Sequence, residues 1–197
     1  MKLTSRNLLF AGHRRHWKPL RLFAHLLVII PQGGAAQERR TVEVPREIVR
    51  QLAIDGDLKD LIVLKRDGRA ENLVAQYVEL NRDGRPELIV HGINSPICGA
   101  ANCDHWIYRK TPKGYGLLLE AGAVQQVLPQ KTFTNGYRDV MTSMHGSAFD
   151  SELALYKFDG KQYQLRRCYY RTYRSRDKFG NFHDLKRPII TPLKCSR

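Results

Sequence analysis

The sequence predicts a mainly β protein: a β-meander, propeller-like or sandwich arrangement of two related repeat units, with one short N-terminal helix. Three observations carry this. Asp83-Gly84-Arg85-Pro86-Glu87-Leu88 returns fifty-two residues later as Asn135-Gly136-Tyr137-Arg138-Asp139-Val140. The run Ile107-Tyr108-Arg109…Tyr115…Leu117 returns at an offset of forty-eight as Leu155-Tyr156-Lys157…Tyr163…Leu165. Short runs of branched and aromatic residues also alternate with Gly, Pro, Asn and Asp turn signals. Self-similarity at such a period marks a supersecondary unit whose apolar face needs a neighbour. The units fall at about residues 73–119 and 125–170. Two units cannot close a propeller ring, so an open curved sheet or compact sandwich, covered on one side by the helix, is expected.

Residues 1–36 read as a signal peptide. A basic stretch ends at Arg21, an apolar run covers Leu22 to Ile30, and Pro31 precedes the small residues Gly33-Gly34-Ala35-Ala36. That nine-residue run suits a signal core and is too short to span a bilayer, which needs roughly 20 apolar residues. Cleavage would leave Gln37 first. The alternative is an N-terminal amphipathic helix kept in the cytosol. Residues 37–44 are polar and extended in character, a linker, and residues 45–197 form a single β-rich domain.

Pro45 opens the helix, and Ile48, Val49, Leu52 and Ala53 make its apolar stripe. Residues 60–64 read as a strand closed by Asp67-Gly68. Residues 73–80 and 87–90 pair across the Asn81 to Pro86 turn. Pro86 has no N–H for a ladder and belongs at a strand start or edge. Residues 106–109 and 115–119 flank Pro112-Lys113-Gly114. Residues 124–128 and 137–144 continue the pattern. Residues 152–158 and 162–168 flank Asp159-Gly160, a strong two-residue turn cue.

The formal net charge is +14, and six of the cations precede residue 37 with no acid among them, which leaves +8 on the remainder. Cys98, Cys103, Cys168 and Cys195 all lie beyond the cleavage point. In an oxidising compartment four cysteines read as two bridges, with three connectivities open. The short Gly99-Ala100-Ala101-Asn102 spacer favours Cys98–Cys103, which leaves Cys168–Cys195 to close the basic C-terminal segment.

The segment Glu79-Leu80-Asn81-Arg82-Asp83-Gly84-Arg85-Pro86-Glu87-Leu88-Ile89-Val90 resembles the Asp-Gly β-loops of secreted FG-GAP and VCBS-type repeat proteins. The resemblance implies calcium, held by Glu79, Asn81, Asp83 and Glu87 with the Arg85 carbonyl as a fifth ligand. Calcium takes six to eight oxygens in a flexible loop, which alternating carboxylates and amides around a Gly supply. The reading beside it is a hairpin turn built on Asp-Gly chemistry. More broadly, that segment, Cys98 to Cys103 before Trp106, Thr134 to Asp139 and Tyr156 to Gly160 look like a group of bacterial secreted proteins with no assigned activity. That likeness implies a periplasmic or secreted location and no catalytic residues.

His91, Cys98, Cys103 and His105 would suit zinc only with reduced thiols, and export favours the disulfide. His145 stands beside Ser143 and Ser147 as a strand-end histidine. No nucleophile elbow, His-Glu-x-x-His helix or phosphate-cradling loop is present. Asp139, Asp150 and Glu152 are acids that only the fold can bring together. The C-terminal stretch interleaves Arg166, Arg167, Arg171, Arg174, Arg176, Lys178, Lys186 and Arg187 with Tyr169, Tyr170, Tyr173, Phe179 and Phe182. Arg166, Arg167, Tyr170, Arg171, Tyr173, Arg174 and Arg176 are the candidate binding residues. Outside the cytoplasm this chemistry suits an anionic envelope polymer, a lipid headgroup or a protein partner. In the cytosol it would suit nucleic acid. A solvated edge strand is the plainer reading. The function expected is a non-enzymatic exported cell-envelope protein acting as a binding module. The alternatives are a secreted metal-dependent hydrolase and a cytosolic nucleic-acid binder.

Overall fold

The computed structural model describes residues 41–195. The signal peptide expected at residues 1–36 and the first four residues of the expected linker lie outside the described residues. The chain is mainly β, with a short strand β1 (Thr41–Val42) and one helix, α1 (Arg46–Ala53). Then follow β2 (Leu73–Val78), β3 (Glu87–Gly92), β4 (Cys103–Thr111), β5 (Gly114–Val124) and β6 (Gln126–Thr134). The last four are β7 (Tyr137–His145), β8 (Asp150–Phe158), β9 (Tyr163–Arg176) and β10 (Phe182–Leu193). They form two five-stranded antiparallel sheets, ordered β1-β2-β3-β4-β5 and β10-β9-β8-β7-β6. Both run as meanders, and the two Asp/Asn-Gly segments each connect to the strand that follows, β3 or β7.

The strands form where period-two alternation has something to cover on each side. In β3, Leu88 and Val90 face one way and Ile89 the other, and all three are buried. The first side packs with Leu73, Ala75, Trp106 and Tyr108 against the α1 stripe of Ile48, Val49 and Leu52. The second side packs Ile89, Ile107, Leu118 and Val124 against Val127, Tyr137, Val140, Phe158 and Tyr163 of the other sheet. The order of layers is therefore helix, first sheet, second sheet. Tyr137 and Phe158 lie 4.2 Å apart between centroids in that second core. Leu80 is fully buried there, and its carbonyl accepts the Arg138 N–H at 2.7 Å.

Two segments differ from expectation. Residues 60–64 are not a strand. Leu58 and Ile62, four apart, are buried in successive turns, as a helical spacing permits. The Asn72 side chain then takes the Val63 N–H at 3.0 Å and donates to the Leu61 carbonyl at 2.7 Å, and the only β pairing of residues 60–64 among the described residues is an isolated bridge from Leu64 to Ala70. Residues 41–44 end the expected linker, yet Thr41 and Val42 pair with Gln76 and Ala75, and Val44 is buried. The turn at Asn135-Gly136 shows why its residues are needed. Both have positive φ, 49° and 84°, as a two-residue hairpin turn that matches strand twist requires.

Candidate functional site

The loop between β2 and β3 holds four of the five proposed calcium ligands, Glu87 opens β3, and the four side chains already accept hydrogen bonds. Glu79 Oε1 accepts the Arg82 N–H at 2.7 Å, and Asn81 Oδ1 accepts the Asp83 N–H at 3.1 Å. Asp83 Oδ1 accepts the Arg85 N–H at 2.7 Å, and its Oδ2 accepts from Asn81 Nδ2 at 3.0 Å. Glu87 turns inward, where its Oε2 accepts the Leu80 N–H at 3.0 Å. Burial pushes the Glu87 carboxyl up from its ordinary value, and that hydrogen bond opposes the shift. Among the described residues no three His, Cys, Asp or Glu side chains converge on a metal-sized space. The donor set does not fit calcium as arranged, because Glu79, Asn81 and Asp83 spend oxygens on holding the turn closed and Glu87 turns into the core. Asn81 Nδ2 also reaches the Tyr137 hydroxyl at 3.0 Å, so the loop is a clasp between the sheets.

The cysteines pair as Cys98–Cys103 and Cys168–Cys195, with Cα separations of 4.1 and 5.2 Å. No described cysteine is free, so the zinc reading fails for want of thiolates. Its two histidines nevertheless meet. His91 and His105 are register partners on β3 and β4, stacked with centroids 4.9 Å apart and planes 14° apart. His91 Nδ1 lies 2.9 Å from the Gly92 carbonyl, and His105 Nδ1 lies 2.7 Å from that of Cys103. A carbonyl only accepts, so each Nδ1 carries a proton, and in a neutral His105 ring Nε2 is then a bare acceptor. Burial drives the His105 pKa down to about 4, with His91 adding to the effect, and keeps the ring neutral near pH 7. Both rings line a cavity of about 580 Å³ with Gln76 and Gln126. His145 pairs its backbone with the Asn102 side chain at 2.8 and 3.1 Å, tying β7 to the small disulfide loop.

The acids Asp139, Asp150 and Glu152 do not form one group. Asp139 accepts from Thr132 and Thr134 at 2.7 and 2.6 Å and pairs with Lys157 at 3.3 Å. Burial pushes its pKa up, but these donors outweigh it and hold the carboxyl below its ordinary value. Asp150 closes the Ser147 turn at 2.8 Å. Neither geometry offers a paired acid and base.

The basic-aromatic stretch is a two-stranded ribbon of β9 and β10. Alternation divides the candidate binding residues between two faces: Arg167, Arg171 and Tyr173 on one, Tyr170, Arg174 and Arg176 on the other. Arg166 sits where the β8–β9 register shifts. Arg171 is anchored, donating to Ser151 Oγ at 2.8 Å and Ser143 Oγ at 3.3 Å. Arg174 lies 3.2 Å above the Phe149 ring and pairs with Asp184 at 3.1 Å. Arg176 stands 5.5 Å from the Phe182 centroid. Phe179 and Phe182 are 78% and 63% exposed, and Lys186 and Arg187 project from a bulge opposite Tyr173. Asp177 closes the ribbon turn by accepting the Phe179 and Asn181 N–H groups at 2.8 and 2.9 Å. His183 and those donors hold the Asp177 carboxyl down at about 2. Phe149 was not legible in the sequence as part of this surface, because it lies more than twenty residues upstream and joins only through pairing of Tyr173 N–H with its carbonyl at 2.9 Å.

Comparison of the chain with family models, curated proteins and solved structures returned no match. The two disulfides fit an oxidising environment, and no described helix is long and apolar enough to cross a membrane.

Proposed function

We propose that this chain is an exported, non-enzymatic envelope protein that holds an anionic envelope polymer along the β9–β10 ribbon. One observation carries the reading: Arg166, Arg167, Arg176, Lys178, Lys186 and Arg187 have no carboxylate within 4.0 Å among the described residues, while exposed rings stand between them. Unneutralised cations in rows attract polyanions and release their counterions, and the interleaved rings add apolar contact area. The export half draws support from the signal-like first segment and the paired cysteines, since bridges persist where no thiol reductant acts.

The test is retention on an immobilised anionic polysaccharide. Replacing Arg166, Arg167, Lys186 and Arg187 by Gln lowers the salt concentration needed for elution, and an unchanged elution overturns the binding half. Intact mass of natively expressed protein tests export. The expected product begins at Gln37 and resists alkylation; a full-length chain with four alkylatable thiols overturns it and favours the cytosolic nucleic-acid reading.

A further inference from the structure

The face of the first sheet that carries α1 extends beyond the helix. Gln51 Nε2 of α1 donates to the Tyr115 carbonyl at 3.1 Å, and Tyr115 also lines a cleft of about 560 Å³. The rings of Tyr77 and Tyr115, the prolines Pro86 and Pro112, and the cations Arg85 and Lys110 are among the residues that line it. The register explains the gathering. Tyr77 follows Ala75 on the buried row of β2, and Lys110 is the partner of Tyr115 across β4 and β5. Tyr77 is nonetheless 51% exposed, a large ring left on the surface where the helix no longer covers its row.

The chemistry of the walls selects the ligand. Proline has a fixed φ and no N–H, so Pro86 and Pro112 stiffen the lining and offer no backbone donor. Hydrogen bonding falls to the tyrosine hydroxyls and the two cations. Neither Arg85 nor Lys110 has a carboxylate within 4.0 Å of its charged group among the described residues, so both cations are free of a direct ion pair. A guanidinium grips a carboxylate through paired N–H groups, and a nearby ammonium adds a point charge. Rings bind a flat apolar face, while the open side of the cleft leaves a ligand's remaining groups in water. The volume lies within the range of small-molecule sites. A ligand with two flat C–H faces, one acidic group and several hydroxyls satisfies all of these conditions.

We propose that this cleft binds a six-membered sugar ring carrying a carboxylate, a hexuronic acid unit. The ring lies against Tyr77 and Tyr115, and its carboxylate meets Arg85 and Lys110. The site is independent of the ribbon and does not need the ribbon reading to hold.

Glucuronate, glucose and benzoate, each titrated into the full disulfide-bonded ¹⁵N-labelled protein, test it through amide shifts. Glucuronate is expected to produce saturable amide shifts at residues 77, 85, 87, 88, 110, 111 and 113–115, with glucose at least tenfold weaker. The double variant Arg85→Gln/Lys110→Gln brings glucuronate down to the glucose level, and Tyr77→Ala weakens both sugars. These three side chains are exposed, so the variants keep the fold, which the rest of the amide spectrum checks. The ribbon variant leaves glucuronate binding unchanged, so loss of one site is distinguishable from loss of the other. Absence of saturable shifts, or equal glucuronate binding by the double variant, overturns the site. Benzoate binding as tight as glucuronate overturns the sugar assignment.

Discussion

Glu87 and Asp139 stand at equivalent places in the two sequence segments, and both are buried, 2% and 1% exposed, yet their surroundings treat charge oppositely. Asp139 has two hydroxyl donors and an ammonium; Glu87 has mainly the Leu80 N–H. Glu87→Gln keeps an acceptor for that N–H and removes a desolvated charge, so thermal stability at pH 7 is expected to hold or rise. Glu87→Ala leaves a buried donor unpaired and should cost about 1–3 kcal/mol. Denaturant titration measures both, and added calcium should shift neither midpoint. His105 contributes an acid sensitivity. Its folded pKa of about 4 lies below the unfolded value of 6.5, so the unfolded chain binds more protons between those values. Stability is complete above pH 6.5 and falls as pH drops toward 4, by roughly 3 kcal/mol. His105→Leu should flatten that window in a melting series, while the Asp139 contribution, lost only below its unfolded value of 3.8, remains.

Among the elements, the ribbon depends on its bridge. β10 is exposed along most of its length and packs little apolar surface of its own. Cys168–Cys195 closes a separation of 27 residues at its foot, worth about 3 kcal/mol in the chain-entropy account. Replacing both by Ala should raise amide exchange at residues 189–191 and 193 first and leave β2 to β4 protected; uniform acceleration everywhere would contradict this local role. The helix is the opposite case. Ile48 is fully buried against Trp106 and its neighbours, so Ile48→Ala should cost about 2–5 kcal/mol by chemical denaturation. Its stripe was readable because spacing of three and four residues survives in the sequence. The ribbon was only half readable: its cations and rings were visible, but the second strand was not, since β10 pairs through a bulge between Asp184 and Ile189 that breaks the alternation.

At the scale of the whole molecule, both sheets share one core through Leu80, Tyr137 and Phe158, and the Asn81–Tyr137 hydrogen bond spans them. The described domain should therefore unfold in one transition, with calorimetric and van't Hoff enthalpies equal. Two resolved transitions would show that the sheets are separate modules. Leu80→Ala should lower the single midpoint without splitting it. The β class, the helix, the hairpin turns and a cysteine pairing that matches the bridges found were all legible in the chain. These rest on local chemistry: alternation, positive-φ residues and short spacers. Only the tertiary structure decided that the Asp-Gly loop spends its oxygens on its own backbone, that His91 stacks on His105, and that two tyrosines and two lone cations share a cleft. Each of those outcomes depends on strand register and on where the helix stops covering the sheet, and neither is written in the periodicity of any one segment.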